Sequence, residues 1–443
     1  MTSGVPNLYV HFPFCRRKCS YCALHSGVGR SATMRAAHVR SLVERISAPD
    51  FAGAETFATV YFGGGSPALC NLSPLFDALA HRLDTATEFT VELHPLDVTD
   101  DLLAILADGG VNRISMGVQS LDDTTLAHMG RGYTIREAEN AFRLIRRRFN
   151  NCGIDLIVGY PKLTDEKGSP VPEQRNCFNR EDLQRLADWG ISHCSVYSLI
   201  LEEKSLLSHE LNCQPTRNHQ GLSPQKHQNQ GGLSPSKNQN REGLSPSGVE
   251  KQGGLSPEKP WGLSPEKPWG LSPEKSWGLS PEKSWGLSPG KSWGLSPKSD
   301  DETLAELDRV AEFLDTIGLK RYEISNYALP GRECRHNLAV WRGEDYLGLG
   351  DGAFGRVGLT RTEATANGTL TTTVSETENR KERAIFRLRT KDGIDASLYP
   401  EWLEILSRFE REGLTKRPNP KDPVFVLTHR GTEVCDAILA ELV

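Results

Sequence analysis

Residues 8–25 read Leu-Tyr9-Val-His11-Phe-Pro-Phe-Cys15-Arg-Arg-Lys-Cys19-Ser-Tyr21-Cys22-Ala-Leu24-His25. A short β-rich run, LYVHF, leads into a loop that holds Cys15, Cys19 and Cys22 within eight residues. The other seven cysteines, Cys70, Cys152, Cys177, Cys194, Cys213, Cys334 and Cys435, are scattered. Scattered cysteines in a chain this size read as small buried hydrophobes, whereas a tight group reads as a metal site. Disulfide scaffolds are small and cysteine-dense, and this chain is neither. Three thiolates cannot by themselves close a four-ligand structural zinc site, although His11 or His25 could complete one. An iron–sulfur cubane is the other solution, with three cysteines on three irons and the fourth iron left to a non-protein ligand. Spacing alone leaves both open.

Working outward, six short apolar runs follow one another: LYVHF (8–12), ATVYF (58–62), FTVEL (89–93), RISMGV (113–118), IDLIVG (154–159) and CSVYSLI (194–200). Between them, apolar residues recur at helical spacing over 33–48, 73–84, 99–107, 135–148 and 181–188. Strands alternating with helices predict parallel βα units, hence an α/β fold built as a partial (β/α)6 barrel, with a doubly wound open sheet as the alternative. The barrel is preferred because the chemically suggestive residues fall at or just past strand ends, the face where such barrels carry their sites.

The predicted core domain is 1–204. Over 205–300 the texture changes: Gly-Leu-Ser-Pro recurs from 221, 232, 243, 254, 262, 270, 278, 286 and 294, and supplies Trp261, Trp269, Trp277, Trp285 and Trp293. A proline in every unit and no apolar face predict a disordered, low-complexity insert. It reads as a tandem expansion in a surface loop, with a Trp/Pro docking tract as the functional alternative. Order resumes with a helix over 302–317 and a strand and turn at RYEISNYALPG (321–331), within a segment 301–375. A small winged-helix-like domain is expected over 376–443, with helices including 383–388, 400–412 and 431–442 and a strand at 424–428.

Composition narrows the classes of function. The 443 residues allow about three domains. Charges of 52 − 57 = −5 argue against a broad basic surface for nucleic acid. No apolar run approaches the ~18 residues of a membrane span, and no leader pattern precedes Val10, so a soluble cytoplasmic protein is expected.

Further motifs stand at successive strand ends. Gly63-Gly64-Gly65-Ser66-Pro67 follows the second strand, where glycines let a backbone approach a ligand closely. Glu92 ends the third strand, and a carboxylate can accept from two hydroxyls. Gln119, Arg131 and Asp155 lie on the fourth and fifth units. Taken with CxxxCxxC and its preceding Tyr21, the series resembles the radical S-adenosylmethionine (radical SAM) superfamily. The resemblance implies a [4Fe–4S] cluster on Cys15, Cys19 and Cys22 whose open iron is chelated by SAM. It also implies SAM contacts at Tyr9, Tyr21, Gly64, Gly65, Ser66, Glu92, Gln119, Arg131 and Asp155. In the superfamily an electron from the reduced cluster cleaves the SAM C–S bond to give a 5′-deoxyadenosyl radical, so a reducing electron donor is implied too.

LYVHFPFC, FGGGSP, GVNRISMGVQS, RYEISNYALPGRECRHNLAVWRGEDYLGLGDGAFGR and RLRTKDGID resemble the group of oxygen-independent coproporphyrinogen III oxidase and the heme chaperones of the HemW type. The oxidase carries a further cysteine where this chain has Leu24, and a long arm where only eight residues precede Tyr9. Both differences favour the chaperone branch, whose cargo is heme and whose partners are acceptor hemoproteins. Coproporphyrinogen oxidation and radical modification of heme are the enzymatic alternatives. The HNxxYW motif that the branch associates with heme reads His336-Asn-Leu-Ala-Val340-Trp341 here, which makes His336 a candidate heme ligand with Trp341 against the macrocycle. Val340 replaces the motif's tyrosine, and Phe354 stands where relatives often have histidine.

Overall fold

The structure, a computed structural model, describes residues 4–165, 169–172, 174, 178–202, 205–212 and 294–442. Six parallel strands form its centre: β1 (Asn7–Phe12), β2 (Thr59–Gly64), β3 (Glu88–Leu93), β4 (Arg113–Gln119), β5 (Asn151–Val158) and β6 (His193–Ser198). They lie side by side in chain order with every pairing parallel. A doubly wound sheet would reverse its order partway. Sequential order without reversal is that of a barrel wall, and β1 and β6 do not pair with each other, so the wall is partial.

Alternation along each strand explains why. Leu8, Val10 and Phe12 of β1, Val60 and Phe62 of β2, Val91 and Leu93 of β3, and Ile154, Leu156 and Val158 of β5 face one continuous core. Against it pack α1 (Ala32–Ile46), α2 (Ser73–Leu79), α3 (Asp100–Asp108), α4 (Ile135–Arg148) and α5 (Arg180–Trp189). The helices start at local signals: Ser31, Thr99, Thr134 and Asn179 each accept a backbone N–H of the first turn, and Thr134 with Glu137 completes a capping box. The intervening strand residues, Tyr9, His11, Tyr61, Glu92, Ser115 and Asp155 among them, point to the inner side of the wall.

The expected insert is narrower than 205–300. Leu206–Asn212 is helical, and Gly294–Ser296 is a strand paired antiparallel to Lys162–Thr164. Leu207 and Leu295 are buried with Met129, Ile157, Tyr160 and Leu163 in a separate small core. One leucine per unit suffices to seat the last Gly-Leu-Ser-Pro, and its proline ends the strand. The disorder expected of the repeats, and the five tryptophans, fall outside the described residues.

Past the insert, α6 (Asp300–Thr316) begins at a Ser299/Glu302 capping box. The expected strand at 321–331 is instead a hairpin, in which Lys320–Arg321 pairs with β7 (Asn326–Ala328) and β7 adds antiparallel to β6. A short helix follows, α7 (Arg335–Trp341), then β8 (Tyr346–Leu349), which joins β1 in parallel. An antiparallel extension made of β9 (Phe354–Val357), β10 (Thr360–Thr365) and β11 (Gly368–Thr373) continues from β8.

In the last segment, α8 (Glu376–Leu388), α9 (Leu403–Arg411) and two short C-terminal helices surround three strands, Ile394–Asp395, Val424–Leu427 and Thr415–Lys416 in spatial order. These elements enclose a second core of their own around Phe386, Trp402, Phe409 and Phe425. The closing helix breaks at Val434, whose backbone leaves helical values (φ −112°, ψ 24°). Among the described residues no helix is long and apolar enough to cross a membrane.

Candidate functional site

The cysteine loop leaves the C-terminal end of β1 and closes on itself: Phe14 and Cys15 pair in parallel with Gly27 and Val28. Inside it, the Cys22 N–H bonds to the Cys19 carbonyl at 3.2 Å, and Ser20 is held by Met129, Leu207 and the Tyr160 hydroxyl. Cys15, Cys19 and Cys22 are all half-buried, while Cys70, Cys152, Cys194, Cys334 and Cys435 are buried, as scattered hydrophobes should be. Burial pushes the Cys15 and Cys22 thiols up. A ligand that withdraws the proton offsets that penalty.

Two thiolates on one zinc at 2.3 Å sit roughly 3.8 Å apart. Among the described residues, the group whose ligand atoms all lie within 4.8 Å of one another is Asp308, His429 and Glu433, on the surface; the three cysteines do not converge that closely. Three thiol donors on one loop are the set that leaves the fourth iron of a cubane open.

The second strand end supplies the glycine loop. Gly64 has φ +100°, and a Cβ there would lie 2.4 Å from the His11 ring; a Cβ on Gly65 would lie 2.4 Å from the Phe14 carbonyl. Only glycine allows this chain to pass against the cysteine loop. Ser66 is turned into the protein: its N–H donates to the Phe14 carbonyl at 2.7 Å and its hydroxyl to buried Asp97. Asp97 also pairs with Arg16 of the cysteine loop, so one carboxylate ties the two loops together.

Glu92 accepts from the Tyr61 hydroxyl at 2.7 Å and the Gly64 N–H at 3.1 Å. Burial, and then the charge of Asp155, push its carboxyl up to about 7. Asp155 accepts from Ser115 at 3.0 Å, and burial raises it as well. Gln119 takes the left-handed backbone (φ 72°) at a bulge between β4 and β5. A non-glycine residue held there is strained and needs surroundings that enforce it. Its amide folds back over Gly117, where a Cβ would lie 2.6 Å from Nε2. Buried Arg131 donates to Gly117 O at 2.6 Å and reaches Cys19 Sγ at 3.2 Å and the Tyr21 hydroxyl at 3.5 Å. The expected residues on the cysteine loop, the glycine loop and β3 to β5 thus line one strand-end face and the inner wall beneath it.

Asp351 and its flanking glycines, which the sequence did not single out, complete a chain of contacts that starts at Tyr9. The Tyr9 hydroxyl meets His11 Nδ1 at 3.0 Å, and His11 Nε2 meets the His25 carbonyl at 2.8 Å. Burial lowers His11 to about 4, so its ring is neutral. His25 Nε2 in turn pairs with Asp351 at 3.0 Å. Gly350 and Gly352 flank that aspartate, and a Cβ on either would strike the His11 carbonyl or the His25 ring. The GDG turn after β8 therefore backs the cysteine loop.

His336 lies elsewhere. Its Nδ1 bonds to Thr59 Oγ1 at 2.8 Å at the opposite, N-terminal end of the wall, and the residue is 4% exposed. Thr59 donates its own proton to Asn7, so His336 Nδ1 carries a hydrogen and Nε2 keeps the lone pair. Burial lowers the imidazole to about 3. The ring packs among Tyr9, Tyr61 and Tyr346. Buried Glu88 caps α7 by accepting the N–H groups of Arg335 and His336. Trp341, at the far end of α7, packs edge-on to Phe386 and under Arg389 in the second core. The motif expected to meet a macrocycle is here a plug in the barrel floor, anchored at its other end in the C-terminal domain.

A cysteine triplet at the end of a first parallel strand, a glycine loop packed against it and inward carboxylates on the following strands make up one strand-end site. The radical SAM superfamily profile matches residues 9–168, so that region is a radical SAM domain. Its relatives include the heme chaperone HemW of Lactococcus lactis, 26% identical over 353 residues, 78% of this chain and 68% of that one. A bovine mitochondrial radical S-adenosyl methionine domain-containing protein 1 is also 26% identical, and the match spans 60% of that protein's length. In fold, the chain is similar to coproporphyrinogen III oxidase (HemN) from Escherichia coli, a radical SAM enzyme, with a TM-score of 0.66 at 18% identity over 99% of this chain and 90% of that one.

Proposed function

We propose that this protein is a cytoplasmic HemW-type heme chaperone that binds heme and passes it to acceptor hemoproteins. In this reading it carries a [4Fe–4S] cluster and SAM and draws on a reducing electron donor. The observation that carries the cofactor half is the convergence of Cys15, Cys19 and Cys22 with the Gly64–Gly65 turn, Glu92 and Asp155 on one face. The relatives named HemW support the cargo half.

The residues present fit the cofactors. Cys15, Cys19 and Cys22 would hold three irons. The backbone of Gly64 and Gly65 would meet the SAM amino end, with Ser66 fixing that turn through Asp97. Glu92 would accept the ribose hydroxyls, while Gln119, Arg131 and Asp155 would supply the remaining polar contacts and Tyr9 and Tyr21 the packing. When bound, the cluster supplies one-electron chemistry to SAM. The protein's part is to orient SAM and to keep water from the inner wall.

His336 has the tautomer that a metal ligand needs, Nδ1–H held by an acceptor and Nε2 free of its proton. Heme ligation there requires α7 to leave the floor. Leu24, 58% exposed on the rim of the cysteine loop with Val28 and Met34, offers apolar surface instead of the oxidase's extra thiolate. The test is anaerobic reconstitution with iron and sulfide, followed by heme titration and a coproporphyrinogen III assay. The reading expects a SAM-sensitive [4Fe–4S] spectrum, stoichiometric heme and no turnover. Formation of protoporphyrinogen, or a protein that holds zinc without inorganic sulfide, overturns it. A heme spectrum unchanged in His336→Ala removes that residue as the ligand.

A further inference from the structure

Away from the cysteine loop, two carboxylates from distant parts of the chain converge on one nitrogen. Asp308 stands on α6, and Glu433 ends the short helix His429–Glu433 of the last segment. His429 Nε2 lies 2.8 Å from Asp308 Oδ1 and 3.7 Å from Glu433 Oε1. Among the described residues neither acid pairs with a lysine or arginine, although Arg309 and Arg430 adjoin the trio in sequence. Glu382, Glu401, Glu410, Asp436 and Glu441 of the last segment each pair with an arginine instead. A metal-binding imidazole is neutral, so the trio offers a nitrogen, two carboxylates and two uncompensated negative charges. One divalent cation balances them.

The short helix that carries two of the donors is held from several sides. A Cβ on Gly431 would lie 1.8 Å from the Leu414 carbonyl, and the N-cap Thr428 donates to the Gly413 carbonyl at 2.7 Å. Thr432 accepts from Arg321, which the Tyr327 hydroxyl of β7 holds in turn. On a helix so seated, His429 and Glu433 are four residues apart and share one face. Asp308 meets that face from α6, and the three ligand atoms all lie within 4.8 Å of one another. Zinc takes nitrogen at about 2.0–2.1 Å and carboxylate oxygen at about 2.0–2.2 Å, so a tetrahedral site holds those atoms roughly 3.4 Å apart. The observed 2.8 and 3.7 Å bracket that spacing, and small side-chain adjustments bring all three onto one ion.

We propose that Asp308, His429 and Glu433 form a zinc site that clips the last segment of the chain to α6. The imidazole selects against magnesium and calcium, which take oxygen donors. Three protein ligands leave the fourth position to water. His429 and Asp308 are exposed, so the ion exchanges with solution and stabilises the fold by mass action. This claim is independent of which cofactor the cysteine loop holds.

Equilibrium dialysis of zinc against the full-length chain tests it, with Cys15, Cys19 and Cys22 changed to serine so that their thiols contribute nothing. One zinc per chain should bind, with only nitrogen and oxygen neighbours in X-ray absorption. His429→Gln, and Asp308→Asn combined with Glu433→Gln, should each weaken binding at least about tenfold. Zinc should raise the melting temperature of the triple-serine chain and leave that of the two variants unmoved. No bound zinc, a sulfur neighbour, or an affinity that both variants retain (an adventitious ion only) overturns the proposal. Should the triple-serine chain not fold, the same dialysis on anaerobically cluster-loaded protein decides. There, zinc bound beyond the iron and sulfide content should fall at least about tenfold in affinity with His429→Gln, and an unchanged affinity refutes the site.

Discussion

Glu92→Gln separates what the inner wall contributes to stability from what it contributes to binding. The Glu92 carboxyl lies at about 7 instead of 4.5, because burial and the nearby Asp155 outweigh the two hydrogen bonds from Tyr61 and Gly64. A folded-state value above the unfolded one means that the native protein binds more protons between those two pH values. Stability is therefore full below about 4.5, falls as pH rises through about 7, and is flat beyond. The whole gap corresponds to roughly 3.4 kcal/mol at 1.36 kcal/mol per pH unit, of which roughly 2 kcal/mol falls between pH 5.5 and 8.5. Glu92 keeps some exposure to the inner side of the wall, so about 1–2 kcal/mol is expected. Glutamine cannot ionise, and it loses one of the two accepted hydrogen bonds at a cost of about 1 kcal/mol that does not vary with pH. Anaerobic urea unfolding of cluster-loaded, SAM-free parent and variant at pH 5.5, 7 and 8.5 gives the comparison. The variant should gain on the parent by about 1–2 kcal/mol from the lowest pH to the highest. In parallel, SAM affinity of the parent should rise with pH through about 7, when the carboxylate becomes a full acceptor, and that rise should vanish in the variant. Parallel stability profiles within about 0.3 kcal/mol would show that Glu92 is ionised throughout and that the reasoning from burial is wrong.

Gly65→Ala places a methyl 2.4 Å from the Phe14 carbonyl, so about 2 kcal/mol of stability should be lost, a melting temperature lower by roughly 4–8 °C, together with the SAM-dependent spectral change; an unchanged melt contradicts the packing argument. Asp351→Ala frees His25 and should speed loss of iron to a chelator about three- to tenfold, with heme titration unaffected. Asp97→Asn breaks the tie between Ser66 and Arg16; a loss of about 1–3 kcal/mol is expected, and lower cluster occupancy after reconstitution, since a buried group loses a charged partner. Full occupancy at parental stability would mean that the two loops hold their places independently.

Much of the fold was legible because both periodicities were clean. The six strands carry apolar residues on the helix-covered side, and four of the five helices packed there open on Ser, Thr or Asn followed by apolar residues at helical spacing. Site residues on those strands could be placed for the same reason: Glu92 and Asp155 are charges in otherwise apolar runs. What escaped was held by distance. Glu88 caps α7 across 247 residues to Arg335, and the N-cap position, Cys334, has no capping side chain, so α7 gave no start signal. Asp97 and Asp351 matter only because loops from distant parts of the chain meet. The Thr-rich hairpin of β10 and β11 is mostly polar on both faces, so it lacks the alternation that marks a half-buried strand. His336 was assigned from its motif, and no local pattern shows which end of a barrel a short helix will close.

The placement of α7 bears on how far this protein can be pared down. One end of that helix corks the strand origins through His336 and Thr59; the other is gripped by Phe386 and Arg389. Trimming the chain after residue 375 would therefore not liberate a tidy minimal core fragment. It would leave the stopper unclamped and let solvent rise into the vessel from below, far from any residue that had been deleted.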